Sequence, residues 1–237
     1  MTDPKPALTP RETEERARVV AASALAVLAI IAFLMVIGAP RPMPIAQPRP
    51  GLDASDVQRF ARDPAACIAE LREAGLEVEP IPDLHQGTCG YRQAVELTRS
   101  FHSYSAPVAG QCALAAALVV WERDVLVPVA VRRLGAPVAR IELAAPAYQC
   151  RQIAGRADGR MSEHAYADAI DISGFTLVNG RVISVREGWS GRTVERQFLR
   201  EVRNGACTMF RGVFSPDYNA AHHDHLHFDL GRDKMCR

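Results

Sequence analysis

Four of the seven histidines in this 237-residue chain, His222, His223, His225 and His227, fall within one stretch, Ala221 to Leu230, read as A-H-H-D-H-L-H-F-D-L. Such a concentration of imidazoles is the usual material of metal binding and proton transfer. The end of the stretch alternates. His225, His227 and Asp229 share one parity and Leu226, Phe228 and Leu230 the other, so an extended strand turns its apolar side chains to a core and its imidazoles to the opposite face. Two histidines two apart on a strand project in parallel, roughly 7 Å apart. That spacing lets one hold a metal ion while the other reaches a water on it.

A second stretch supplies the rest of a ligand set. Ser162 to Ser173 reads S-E-H-A-Y-A-D-A-I-D-I-S, and its end alternates too, with Ala169, Asp171 and Ser173 against Ile170 and Ile172. A loop residue followed by a strand residue brings His164 and Asp171 to one point. Together with His227 they make a mixed nitrogen and oxygen set suited to zinc, with a fourth position left for water, as a catalytic rather than a structural site requires.

The pattern Ser162-x-His164-x-x-Ala167-x-Ala169-x-Asp171, followed later by His225-x-His227, resembles the zinc D-alanyl-D-alanine peptidases. The spacing of His222, Asp224, His225 and His227 is similar to that of the penicillin-insensitive murein endopeptidases. S-E-H-A, A-I-D-I-S-G-F and H-H-D-H-x-H together resemble the bacterial extensin-like C-terminal domain family most closely, over roughly Pro64 to Arg237. Ala167 departs from the peptidase motif, which carries glycine there. A β-carbon is tolerable at that point if φ is negative.

The resemblance implies a zinc-dependent peptidase acting on peptidoglycan peptides, of carboxypeptidase or endopeptidase type. His225 is the first candidate for general base, because parity places it on the face of His227. Asp224 stands where the carboxypeptidases carry a catalytic glutamate, but a regular strand would turn it the other way, so a role in orienting a ligand stays open. His222 is a third candidate, by its match to the endopeptidase pattern, and His223 reads as structural. Ser162 reads as a cap or a hydrogen-bonding partner near His164. Arg151, after Tyr148, matches a Tyr-Arg element whose arginine faces substrate in the peptidases; a surface arginine fits the segment equally. Two other readings remain: a cell-wall binding or scaffold domain that keeps the metal site without turnover, and a structural site closed by a fourth protein ligand such as His222.

The elements that must position these residues can be read in turn. Asp53 to Ala74 has helical apolar spacing broken at Pro64, which predicts two helices, the second capped by Asp63. Leu76 to Leu97 predicts one short strand, with His85 in a surface loop. Cys112 to Arg123 predicts a buried helix, preceded by a structural His102, and Val125 to Leu134 continues helical or irregular past Pro128. Val138 to Leu143 predicts a strand. Asn179-Gly180 lies between two β-rich runs and predicts a hairpin. Gly191 to Asn204 predicts a helix that Gly205 stops. Helices first, strands afterwards and no βαβ alternation predict an α+β fold, a small antiparallel sheet carrying the zinc site against N-terminal helices.

Before this domain, residues 53–237, the chain differs in character. Val19 to Gly38 is twenty residues without a charge, enough for one transmembrane helix. A signal peptide competes, though its apolar core is shorter and Gly38-Ala39-Pro40 makes a poor cleavage site. Lys5, Arg11, Arg16 and Arg18 bias residues 1–18 to the cytoplasm, and the proline-rich residues 39–52 form a stiff tether. The expected location is the inner membrane, single-pass, with the domain in the periplasm. All six cysteines follow the span and none forms C-x-x-C, which fits three disulfides in an oxidising compartment. The extensin-like resemblance favours sequential pairs, Cys67 with Cys89, Cys112 with Cys150 and Cys207 with Cys236. A formal net charge of only +1 offers no electrostatic case for nucleic acid. No internal repeat points to an oligomeric state.

Overall fold

The computed structural model describes Arg11, Arg18, Ala22, Ser23, residues 51–153 and residues 159–237. The first two helices follow the sequence. Helix α1 (Ala54–Phe60) starts at a capping box between Asp53 and Asp56, and α2 (Pro64–Glu73) starts with Asp63 accepting from the Ala66 amide and Pro64 in its first turn.

The segment after them departs from expectation. Instead of one short strand the chain makes β1 (Glu77–Pro80), β2 (Leu84–Gln86), β3 (Cys89–Tyr91) and β4 (Ala94–Arg99), then a nine-residue β5 (Ser103–Gln111). Prolines and glycines read as loop here because sequence does not show which strand edges are open. β5 pairs with the next strand only at Ser103 and Tyr104, so Pro107 lies where no neighbour on that side needs its missing N–H.

From β5 the chain runs through α3 (Cys112–Trp121), a π-helical turn (Glu122–Leu126) and α4 (Val127–Leu134), and returns as β6 (Val138–Leu143), parallel to β5. A parallel pair needs such a crossover. This is the βαβ connection that sequence reading had excluded. Then come β7 (Ala169–Leu177), β8 (Val182–Ser184), α5 (Val185–Gly188), α6 (Thr193–Ala206), β9 (Gly212–Phe214), β10 (Leu226–Asp229) and β11 (Met235–Cys236). The main sheet has nine strands in the order β1-β4-β5-β6-β7-β10-β9-β11, with β8 also on β7; β2 and β3 pair by themselves. The fold is thus mixed α/β around a large mixed sheet, not α+β with a small antiparallel one. The expected transmembrane helix is corrected as well: no helix of the described residues is long and apolar enough to cross a membrane, and Val19 to Gly38 lies outside them apart from Ala22 and Ser23.

Helix α3 is the centre of the core. All ten of its residues are buried, and Trp121 packs edge-on against Phe228 of β10 while its Nε1 donates to the Val202 carbonyl of α6 at 3.0 Å. Leu226 and Phe228 therefore face helices, and the alternation of the strand sends His227 and Asp229 to the other face. The Asn-Gly hairpin forms between β7 and β8 as expected. Gly205 does not stop α6, which runs through it; a β-carbon there would meet Val125 at 2.4 Å, so glycine serves helix packing.

Glu122 is fully buried at the start of the π turn. It accepts hydrogen bonds from Ser100 Oγ at 2.5 Å, from His102 Nδ1 at 2.7 Å, from the His102 amide and from the Tyr104 hydroxyl. This network ties β4 and β5 to the helical layer. Burial, then the Glu122 charge, drives the Tyr104 hydroxyl well above its ordinary pKa. His102 is structural, as its sequence context suggests.

Three disulfides form: Cys67–Cys112, Cys89–Cys150 and Cys207–Cys236. Only the last is a sequential pair. The other two follow packing, since α2 lies against α3 and β3 against the loop before Arg151, and sequence order carries no information about either contact.

Candidate metal centre

β7 and β10 run antiparallel with Asp171 directly opposite His227, so both side chains emerge on the same face. His164 comes from a 3-10 turn, Glu163–Tyr166, whose chain then leads into β7. The three residues converge: one ligand atom from each of His164, Asp171 and His227 lies within 4.8 Å of the others, and all three residues are buried. His164 Nε2 is 3.2 Å from Asp171 Oδ2 and 3.2 Å from His227 Nδ1, and His227 Nδ1 is 2.8 Å from Asp171 Oδ1. Two imidazole nitrogens and a carboxylate at this spacing could hold a single metal ion.

The remaining ring nitrogens are held as metal-binding histidines require. His164 Nδ1 donates to the Ala147 carbonyl at 2.9 Å, which leaves the Nε2 lone pair for a ligand role. His227 Nε2 donates to Asp229 Oδ2 at 3.0 Å, a carboxylate behind the imidazole. Asp229 carries this role although sequence reading noted only its parity. That parity was the available signal. A β-carbon on Gly212 would stand 1.9 Å from Asp229 Oδ2, so β9 needs glycine beside this carboxylate.

The electrostatics follow from these contacts. Burial opposes charge on His227, but hydrogen bonds from its ring to Asp171 and Asp229 outweigh it and push the imidazole up to about 9. Burial likewise works against ionised Asp171, and hydrogen bonds from His164 and His227 hold its carboxyl well below the usual range. His222 moves the other way. Burial, then the neighbouring imidazoles, brings it down to about 4, so it is neutral at physiological pH.

Of the other sequence candidates, Arg151, Ser162, His222 and His225 line one cavity of about 480 Å³ that opens on this cluster. His225 lines it, with Nε2 3.5 Å from Asp171 Oδ1 and Nδ1 bonded at 3.0 Å to Asp224 Oδ1. Asp224 precedes β10 rather than lying in it, so the parity objection does not apply, and Arg186 of α5 holds its other oxygen at 2.7 Å. Asp224 is thus hydrogen-bonded between His225 and Arg186. His222, at the end of a 3-10 turn, lines the cavity with Nδ1 on Asn219 Oδ1. His223 is exposed and bonds the Ala220 carbonyl. Arg151 also lines the cavity, and its guanidinium has no ion-pair partner among the described residues. Ser162 is buried at the head of the His164 turn but its hydroxyl makes no capping bond, contrary to one expectation. Phe214 stacks on the His227 ring, 5.4 Å between centroids.

Ala167 has φ +53, the left-handed region, and not the negative φ that would accommodate its methyl without cost. It is fully buried, so contact made by the methyl group offsets part of the strain; glycine would relieve the strain and lose the contact.

The profile of one family, described as extensin-like protein C-terminus, matches residues 65–237, well over half of the chain. No curated protein and no solved structure matches it.

Proposed function

The chain belongs to the extensin-like protein C-terminus family, and from that premise and the geometry of its centre we propose that it is a zinc-dependent peptidase acting on peptidoglycan peptides outside the reducing cytoplasm. The convergence of His164, Asp171 and His227, each histidine held through its second nitrogen, carries the reading. The likeness of these residues to the D-alanyl-D-alanine peptidase motif supplies the substrate class. Three disulfides support an oxidising compartment.

His164, Asp171 and His227 would hold the zinc, which would supply Lewis acidity for water and for the scissile carbonyl. The chain's own groups do the rest. His225, with its Nδ1–H fixed on Asp224 and Asp224 fixed by Arg186, offers the Nε2 lone pair toward the cluster and takes a proton there as general base. Arg151 presents a guanidinium to the cavity that suits a carboxylate or a developing oxyanion of the substrate. His222 stands outside the set of three ligands, which favours an open site over one closed by a fourth protein group.

The test is metal content of the purified, oxidised full chain, together with mass spectrometry of peptidoglycan digested with and without chelator. One zinc per chain and chelator-sensitive new fragments support the peptidase and show the bond cut. Zinc without cleavage moves the reading to a wall-binding scaffold, and no metal removes the ligand assignment.

Two further outcomes are expected. With the His227 pKa at about 9, a metal must displace the proton at Nδ1 below that pH. Apparent zinc affinity then rises about tenfold per pH unit from pH 6 to 8 and flattens above 9, in competition titrations with a chromophoric chelator. A flat profile would mean that His227 is not protonated before binding. Asp229→Asn removes the carboxylate behind His227 and is expected to weaken zinc binding about 10- to 100-fold in the same assay.

A further inference from the structure

The β2–β3 hairpin serves no purpose that the core explains. From Leu84 to Gln93 only Cys89 is buried, through its disulfide, and His85, Gln86, Gly87, Thr88, Arg92 and Gln93 are exposed. Yet the element is tied down twice. Cys89–Cys150 bonds it to the segment that carries Tyr148 and Arg151, and Tyr91 packs edge-on against Tyr148, 5.3 Å between centroids, with Tyr148 hydroxyl donating to Gln86 Oε1 at 3.1 Å. A small surface element held this firmly with so little core burial is explained by the surface it presents.

That surface is the wall of a second, more open depression of about 560 Å³, within the size range of small-ligand sites. Its lining combines the rings of Tyr91 and Tyr166 with the amides of Gln93 and Gln111, the Thr88 hydroxyl and the Arg92 guanidinium, and includes no carboxylate. Tyr166 belongs to the same 3-10 turn as His164, and Gln111 Nε2 donates to the Tyr166 carbonyl at 2.9 Å, so the depression adjoins the turn that supplies the metal centre.

We propose that this depression binds a saccharide, specifically the glycan strand to which the peptide substrate is attached. A pyranose has an apolar C–H face that packs on a tyrosine ring and a rim of hydroxyl and acetamido groups that amides and hydroxyls satisfy. A cationic, carboxylate-free lining also accepts a sugar bearing an acidic ether side chain. The choice of glycan rests on the peptidase reading above, whereas saccharide binding itself does not need turnover.

The experiment is calorimetric titration of the oxidised full chain, metal-free and zinc-loaded, with N-acetylglucosamine tetramer and with peptide-free glycan strands. Saturable binding in both metal states is expected, weakened about tenfold or more by Tyr166→Ala and by Arg92→Ala. Both side chains are exposed, and an unchanged circular dichroism spectrum and zinc content show that the variants fold. Absence of saccharide binding by the folded chain overturns the proposal, as does binding that neither substitution weakens. Competition by sodium acetate as strong as by saccharide also overturns it, since that marks an anion site. Because the ligands contain no peptide bond of the wall, loss of the peptidase reading leaves this result standing, and the reverse also holds.

Discussion

His227→Ala is expected to weaken zinc binding by more than about 100-fold, beyond what loss of a supporting residue costs, and to abolish chelator-sensitive cleavage. His225→Ala, two residues away and lining the same cavity, should keep the metal and lose cleavage by about 100- to 10,000-fold, the usual contribution of a general base. The contrast follows from geometry. His227 Nδ1 sits 2.8 Å from Asp171 and 3.2 Å from His164 Nε2, inside the cluster, whereas His225 Nε2 approaches Asp171 only to 3.5 Å and is backed by Asp224. Zinc analysis and digestion of peptidoglycan on the same preparations separate the two roles. Loss of zinc in His225→Ala would make it a ligand; cleavage retained in His225→Ala would remove it as the base and turn attention to His222, which lines the same cavity.

Glu122→Ala should lower the stability of the fold by about 3–5 kcal/mol, the cost of breaking a buried charged network by removing one partner. The carboxylate is fully buried, and its loss strands both donors of His102 and leaves the Ser100 and Tyr104 hydroxyls to each other at 3.4 Å. Denaturant unfolding of the oxidised full chain measures this, and a double-mutant cycle with His102→Ala should return a coupling of about 0.5–3 kcal/mol. A loss below about 1 kcal/mol for Glu122→Ala would mean that water replaces the carboxylate and that the network does not hold β4 and β5 to the helices.

Legibility differed between site and fold for physical reasons. The site rests on local rules. Strand alternation showed that His227 and Asp229 share a face, and motif spacing joined His164 and Asp171 to them, because adjacent antiparallel strands with the right register bring such faces together. What parity did not tell was which member of the face would bind and which would support, and so Asp229 went without a role. Parity reaches neither Asp224 nor His225, because the strand begins only at Leu226; His225 comes to the cavity from the turn before it.

The sequence by itself determined the two N-terminal helices, the buried α3, the Asn-Gly hairpin, the family and the convergence of His164, Asp171 and His227. The helices and the hairpin depend on caps and periodicity within a short stretch, where the chain's own geometry settles the outcome, whereas the ligand set, with His227 56 and 63 positions along the chain from its partners, was legible only through the family motif. Tertiary structure alone decided the size and mixed character of the sheet, because the crossover from β5 to β6 makes a parallel pair that no local pattern announces. It also decided the partners of Cys67 and Cys89, the packing role of Gly205 and the positive φ of Ala167. These depend on which distant surfaces meet, and contacts between residues tens of positions apart are set by the packing of the whole core and not by the residues on either side.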